Sequence, residues 1–282
     1  MGKKTQNSTS HWQAFPHANE AFRHDGQGLK KAWPKLHKGD CEPFPTPERV
    51  KALDPDHSDP HGASDALIEA WCDYHAGDFG RAIERSQEIG LLAHAVANKA
   101  SGIYADYLED DEARQMSLYQ EGMERAKAAI EAFPNDPNAH YFHAFMTGRY
   151  SQCISVAKAL KDGLAGRVKS DVSRTLELAP DHAEAWLALG LFHAEVINKV
   201  GKMVGGMTYG ASAKDSMSAF KRALELTPKS PIAWIEYGNA LHLLYGDKKL
   251  EESNEAYRKA SQLKPLDAMD KLDIEYARNS IA

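Results

Sequence analysis

Hydrophobic positions after Gly62 follow a helical period. Apolar residues recur there at i, i+3, i+4 and i+7, and no segment alternates with a period of two for long enough to indicate a strand. Proline occurs in this region only at Pro134, Pro137, Pro180, Pro228, Pro231 and Pro265. Because proline interrupts a helix, these residues mark joints between helices. The pattern predicts an all-α region.

The joints resemble one another. They read EAFPNDPNA at 131–139, ELAPDHAEA at 177–185, ELTPKSPIA at 225–233 and QLKPLDA at 262–268, with leading prolines 46, 48 and 37 residues apart. Self-similarity at this period indicates stacked helical hairpins, each unable to bury its apolar face alone. We expect a solenoid of about five hairpins over residues 63–265 and a capping helix over 267–280.

Two units carry large and small residues at matching places. The unit at 183–228 has Trp186, Gly190, Phe220 and Ala223, and the unit at 231–265 has Trp234, Gly238, Tyr257 and Ala260. In these features the region resembles the tetratricopeptide repeat, whose two antiparallel helices pack closely. Two units exceed the usual length, and the excess lies in residues 151–170 and 199–212.

A narrower resemblance covers residues 180–280. An over-long hairpin with VGKMVGGMTYGAS is followed by SMSAFKRALEL and a short closing repeat. This part resembles the regulator-of-microtubule-dynamics family and the T-component proteins of TRAP transporters. The T-component proteins are typically exported lipoproteins, whereas the start of this chain, MGKKTQNSTSHWQAF, has neither the apolar core of a signal peptide nor a lipobox cysteine. We therefore expect a cytoplasmic protein.

Residues 1–62 differ from the rest in composition. They hold seven of the 13 prolines and six of the 13 histidines, together with Trp12, Phe15, Phe22, Trp33 and Phe44. So many large apolar groups are unusual for a solvated tail. We expect an irregular N-terminal arm over residues 1–62, partly docked through its aromatic residues and with a short helix near 28–36, before a repeat domain over 63–282.

Composition narrows the class of function. A net charge of −6 argues against a nucleic-acid partner, and no apolar run is long enough for membrane insertion. The three cysteines form no CxxC pair, which favours free thiols. The sequence contains no GxSxG, Rossmann, zinc-finger or EF-hand pattern, so we expect no enzymatic activity and no cofactor.

Three other features are candidates for a site. Residues 54–61 (DPDHSDPH) could chelate a cation, although turn chemistry explains the same residues. His140, His143 and His193 occupy inward positions, where buried, hydrogen-bonded histidines are expected more often than a zinc site. Glycines at 205, 206 and 210 are expected to break an over-long helix, so that Met203, Met207 and Tyr209 project towards a partner or ligand.

The tetratricopeptide resemblance implies a concave surface lined by the first helix of each hairpin. Carried over by position, the lining residues are Tyr141, Phe145, Arg149, Leu187, Leu191, Glu195, Ile235, Asn239 and His242. This lining is mostly apolar and lacks the Lys- and Asn-rich clamp that grips an acidic partner tail. We expect no metal in it.

Two hypotheses follow, and a third, an enzyme built on the same fold, has no motif to support it. The first is a scaffold whose groove binds an apolar segment of a protein partner. The second is a carrier that encloses a small apolar ligand within the superhelix. A single cavity closed by residues 151–170 and 199–212 would favour the carrier, whereas an open groove, or one holding the N-terminal arm, would favour the scaffold. The sequence leaves the oligomeric state open.

Overall fold

The computed structural model describes residues 12–281, and this part of the chain is all-α, without a β-strand. The α-helices are α1 Gly26–Leu36, α2 Pro47–Leu53, α3 Pro60–His75, α4 Phe79–Ile89, α5 His94–Tyr107, α6 Glu112–Ala132, α7 Pro137–Gln152, α8 Val156–Lys161, α9 Leu164–Leu178, α10 Ala183–Val200, α11 Lys202–Tyr209, α12 Ala213–Leu226, α13 Pro231–Tyr245, α14 Leu250–Ser261 and α15 Ala268–Ser280. Short 3₁₀ turns lie at Glu20–Phe22, Leu91–Ala93 and Gly246–Lys249.

Ten of these helices form five antiparallel hairpins that stack in chain order. The pairs are α3 with α4, α5 with α6, α7 with α9, α10 with α12 and α13 with α14, and α15 closes the series. This confirms the predicted all-α solenoid of about five hairpins with a terminal helix. The short helices α8 and α11 lie within the two over-long units, between the paired helices.

The joints begin helices in the way their sequence suggests. The Asp136 carboxylate accepts a hydrogen bond from the Asn138 N–H and Ser230 Oγ accepts one from the Ala233 N–H, so both residues are N-caps. A proline follows each cap at the first helical position, where its missing N–H costs nothing. The recurring joint is therefore a stop for one hairpin and a start for the next.

Small residues allow the paired helices to approach closely. A Cβ atom at Gly190 would lie 2.6 Å from the ring of Phe220, and one at Gly238 would lie 2.9 Å from the ring of Tyr257. Real Cβ atoms are not found at such distances, so no side chain would fit between the paired helices at either position. The two glycines therefore allow the close approach of the helices.

The N-terminal arm is docked on the first hairpins. Trp33 is buried and meets the ring of Trp71 edge-on at 5.5 Å, and Trp12 meets the ring of Tyr104 at 4.8 Å. Helix α1 corresponds to the helix expected near 28–36, whereas α2 was not predicted. Both pack against α3. The domain boundary at 62/63 stays a prediction, and residues 1–11 lie outside the described residues.

Helix α15 does more than cover the last hairpin. It packs on α13 and α14 and also contacts α3. The Tyr107 hydroxyl donates a hydrogen bond to Asp273 Oδ1 at 2.5 Å, and His75 Nδ1 lies 2.7 Å from Asp267 Oδ2. The end of the solenoid is thereby joined to its first two hairpins, and α15 occupies part of the concave face.

Candidate binding cavity

A cavity of about 220 Å³ lies inside the superhelix, mainly between α7, α9 and α10. Its wall is largely apolar and is formed by Ile103, Phe142, Phe145, Val156, Leu160, Leu164, Val168, Leu187, Leu191, Phe192, Val196, Val200, Ile232 and Met269. An apolar cavity with a few polar groups at its edge is typical of a site for a small ligand.

The extra residues of the two over-long units, 151–170 and 199–212, form the outer side of this cavity, and we call these two segments the insertions. Helix α8 and the residues before it contribute Gln152, Val156 and Leu160, and the last turn of α10 contributes Lys199. These are the four exposed residues of the lining, while the rest of the lining is buried or half-buried. The opening to solvent therefore lies between the insertions.

Glycines set the turns around α11, and Gly210 is the one of the three expected glycines that does so. Gly201 ends α10 with a φ of 82°, and Gly210 ends α11 with a φ of 62°, a region that side chains other than glycine rarely adopt. Gly205 and Gly206 were expected to break a helix but lie inside α11. Gly205 is buried, and a Cβ there would meet Val196 of α10 at 3.3 Å, so its small size seats α11 on α10.

One polar edge of the cavity is built around a buried lysine. Lys99 Nζ donates a hydrogen bond to Glu184 Oε1 at 2.8 Å and another to Asp40 of the arm. Burial disfavours the charge of Lys99, but Asp40 and Glu184 more than offset this and raise the pKa of the lysine. Glu184 also fixes the arm, because its N–H donates to the Gly39 carbonyl at 3.0 Å.

A second polar edge is built around Arg149. Its Nη2 atom lies 3.0 Å from Asp106 Oδ2 and 3.7 Å from Glu236 Oε1, and its guanidinium lies 5.5 Å from the centre of the Phe145 ring. Burial raises the pKa of Glu236, although the nearby Arg149 acts in the opposite direction. The charges at the cavity edge are thus paired with one another, which suits an occupant that is mostly apolar.

The family model described as Regulator of microtubule dynamics protein 1-3 matches residues 82–277, more than half of the chain. The chain belongs to this family. Every residue that lines the cavity lies within the matched segment, whereas the N-terminal arm lies outside it. The narrower resemblance seen at residues 180–280 is confirmed for this family and extends over four hairpins. No curated protein matches the chain significantly.

Seven of the residues predicted to bind lie together in this family member. The cavity lining includes Tyr141, Phe145, Arg149, Leu187, Leu191, Glu195 and Tyr209. They come from the inner faces of α7 and α10 and from the end of α11. The positions taken from the tetratricopeptide resemblance therefore meet at one cavity for the units that begin with α7 and α10.

The three residues predicted in the unit that begins at Pro231 do not line the cavity, although Ile232 and Glu236 of the same helix do. Ile235 is buried against Ala277 of α15, because this helix covers the inner face of α13. Asn239 lies outside the lining, where it donates to Glu236 and accepts from the Tyr257 hydroxyl, and His242 is exposed to solvent. The repeat pattern does not indicate that the capping helix folds back into the groove, so these three positions were wrongly expected to line it.

Met203 and Met207 also lie outside the lining. Their side chains are 74% and 84% exposed on the outer side of α11. They were expected to project towards a neighbouring surface, and within residues 12–281 they project into solvent.

Sequence reasoning missed most of the lining, including three buried charged residues and one residue of the capping helix. Lys99, Glu184 and Glu236 are buried charges at the cavity edge, and Met269 comes from the capping helix. Lys99 had a detectable signal, since it stands among small and apolar residues in HAVANKASGIYADY. A charge in such a segment is expected to be paired when it is buried.

The three candidate histidines have separate partners. His140 Nε2 lies 2.9 Å from the Pro134 carbonyl, His143 Nδ1 lies 2.7 Å from Asp171 Oδ2, and His193 Nδ1 accepts from the Ser212 N–H at 3.4 Å. Within residues 12–281 no cluster of His, Cys, Asp and Glu has the geometry to hold a metal ion. In the 54–61 segment, Asp59 accepts from the Gly62 N–H and caps α3.

None of the helices between residues 12 and 281 is both long enough and apolar enough to cross a bilayer.

Proposed function

We propose that this family member is a non-enzymatic, cytoplasmic binding protein that encloses a small apolar ligand in the cavity between α7 and α10. The observation that carries the proposal is the position of the two insertions, which form the outer side of one apolar cavity. This is the arrangement expected of a carrier rather than of an open groove.

Occupation of the rest of the concave face supports the same proposal. An extended partner segment lying along that face would have to pass α13, where α15 already packs, and α5, where Asp40 of the arm pairs with Lys99. The first obstruction is buried apolar packing of Ile235 against Ala277, and the second is a buried ion pair; both are costly to displace. A compact ligand needs neither of them to move.

The lining also limits the kind of ligand. Aliphatic and aromatic side chains form the wall, and the charges at the edge are already paired. A ligand with a net charge would have to compete with these pairs, whereas an uncharged apolar molecule gains by leaving water. The ligand class we propose is a neutral, largely apolar molecule that fits about 220 Å³.

A cavity-filling variant tests the proposal. Leu191→Trp places a large ring into the lining, and Leu250→Trp, at an exposed position on α14, serves as the matched control. Binding of a fluorescent apolar probe is expected to weaken by about tenfold or more in Leu191→Trp, because the added ring takes up ligand volume. Equal probe affinity in the two variants would contradict the cavity site.

A second candidate function is protein binding, which the family description favours. That description names regulation of microtubule dynamics, an activity carried out through protein contacts. In this proposal the stacked, tetratricopeptide-like hairpins present the same cavity opening to an apolar segment of a protein partner. Co-sedimentation with polymerised tubulin that is lost in Leu191→Trp but kept in Leu250→Trp would support it, while binding by neither protein would remove tubulin as the partner.

A further inference from the structure

Helix α11 buries a glycine and exposes its large apolar side chains. An amphipathic helix normally buries its large apolar side chains and exposes its small or polar ones. Here the buried residue is Gly205, against Val196 of α10, while Met203, Val204 and Met207 are 74%, 46% and 84% exposed. Eight residues therefore hold three large apolar side chains in solvent without a covering element among the described residues.

Helix α8 has a similar surface on the other side of the cavity opening. Val156 and Leu160 are 42% and 41% exposed and also line the cavity. The two insertions are tied together through α9, because Lys169 Nζ donates to the Tyr209 carbonyl at 2.7 Å. The apolar side chains of α8 and α11 thus border one opening. We call the exposed surface of residues 151–170 and 199–212 the rim.

The charge of the rim differs from that of the whole protein. The rim carries six basic residues and one acidic residue, whereas the chain has a net charge of −6. The basic residues are Lys158, Lys161, Arg167, Lys169, Lys199 and Lys202. The acidic residue, Asp162, pairs with Lys158 at 2.6 Å. A basic surface on an acidic protein concentrates its field at one place.

We propose that the rim docks on an anionic lipid bilayer, with the side chains of α8 and α11 entering the headgroup region and the lysines contacting acidic headgroups. Short helices with exposed apolar residues and flanking lysines bind bilayer surfaces by these two contributions together. The occupant is a lipid surface because basic residues lie next to exposed apolar ones in both helices, a combination that matches headgroups above acyl chains. Lys158 and Lys161 lie among the apolar residues of α8, and Lys202 directly precedes Met203 in α11.

This inference goes beyond the proposed ligand binding and does not depend on it. Val156 and Leu160 of α8 contribute to both surfaces, but the exposed apolar side chains of α11 lie outside the cavity lining, and Leu191 lies outside the rim. A cavity-filling Leu191→Trp protein should therefore bind vesicles as the unmodified protein does. The two proposals can fail separately.

Vesicle flotation with the full chain tests the docking. We expect binding to phosphatidylcholine vesicles that contain about one third phosphatidylserine, and weak binding to phosphatidylcholine alone, since each lysine near the surface contributes to attraction. Raising the salt concentration from about 0.05 M to about 0.5 M should reduce the binding, because exposed charges are screened.

Two rim variants separate the two contributions. Lys161→Glu/Lys202→Glu and Met203→Ser/Met207→Ser should each weaken partitioning into anionic vesicles by about tenfold. The matched control is Lys248→Glu/Leu250→Ser, which changes an exposed lysine and an exposed leucine away from the rim. Circular dichroism should show the same helicity in all three proteins, because the altered side chains are on the surface.

Three results would overturn the docking proposal. The first is no binding of the unmodified protein to anionic vesicles, and the second is equal loss of binding in the control variant. The third is a dimer in analytical ultracentrifugation that dissociates in the Met203→Ser/Met207→Ser variant without any vesicle binding, which would assign the rim to a second copy of the chain.

Discussion

Asp273 on α15 provides a test of the way in which the end of the solenoid is joined to its beginning. The carboxyl group is 1% exposed, and Oδ1 accepts from the Tyr107 hydroxyl, while Oδ2 has no hydrogen-bond partner among residues 12–281. Burial is the main cause that raises the pKa of Asp273 to about 8, and the nearby acidic residues Asp267, Glu236 and Asp106 act in the same direction. At neutral pH the folded protein therefore keeps a proton that the unfolded chain has lost.

The sign of the pH dependence follows from this difference. Between the unfolded pKa of 3.8 and the folded pKa of about 8, the folded state binds more protons, so the free energy of unfolding falls as the pH rises. From pH 6 to pH 8 this one group removes about 2 kcal/mol of stability. Asp273→Asn keeps an acceptor for Tyr107 but does not titrate, so its stability should lack this loss.

Urea denaturation followed by circular dichroism at pH 6 and pH 8 measures the effect. For each protein, the change in unfolding free energy between the two pH values is determined. The contributions of the other titrating groups cancel when this change is compared between Asp273→Asn and the unmodified protein. Asp162→Asn, at a partly exposed carboxylate directly after α8, is the control and should follow the unmodified protein. An unchanged pH dependence in Asp273→Asn would refute a protonated Asp273.

Three further predictions concern packing and buried charge. Gly190→Val should cost about 2 kcal/mol or more of unfolding free energy in urea titration, because the new side chain meets the ring of Phe220. Gly148→Val faces open space inside α7 and should cause no loss, since valine has a higher helix propensity than glycine. Equal losses in the two variants would contradict the close approach. Lys99→Met should cost about 3–5 kcal/mol by the same measurement, since it leaves two carboxylates without their cation, and a loss below about 1 kcal/mol would show that they are hydrated. Burial lowers the pKa of His182 to about 4, so the free energy of unfolding should fall as the pH drops from 6.5 towards 4. His182→Gln should remove about 2 kcal/mol of the loss between pH 7 and pH 5. An identical acid transition in the variant and the unmodified protein would contradict this.

The fold could be predicted because its signals are local. Proline at Pro137 and Pro231 marks helix starts, and the small residue at Gly190 marks a close helix pair, so each hairpin is specified within about forty residues of sequence. The same locality brought the inner positions of α7 and α10 to the cavity. These parts of the site depend only on the phase of a helix.

What could not be predicted depends on contacts between distant parts of the chain. Ile235 was expected to line the groove, but Ala277 covers it, and nothing near Ile235 in sequence indicates which helix will do so. Lys99 and Asp40 meet across 59 residues, because the arm passes over α5. Such pairings are decided by which buried charges can be neutralised in the complete fold, and the periodicity of one segment does not contain that information.

The join between α15 and α3 also affects how the chain matures on the ribosome. An open array of hairpins can consolidate one unit at a time as each leaves the exit tunnel. Here His75 of the first hairpin bonds to Asp267, 192 residues later, so the first unit made is completed among the last. The nascent chain must therefore keep the hairpin of α3 and α4 in an unfinished form until Asp267 has left the exit tunnel.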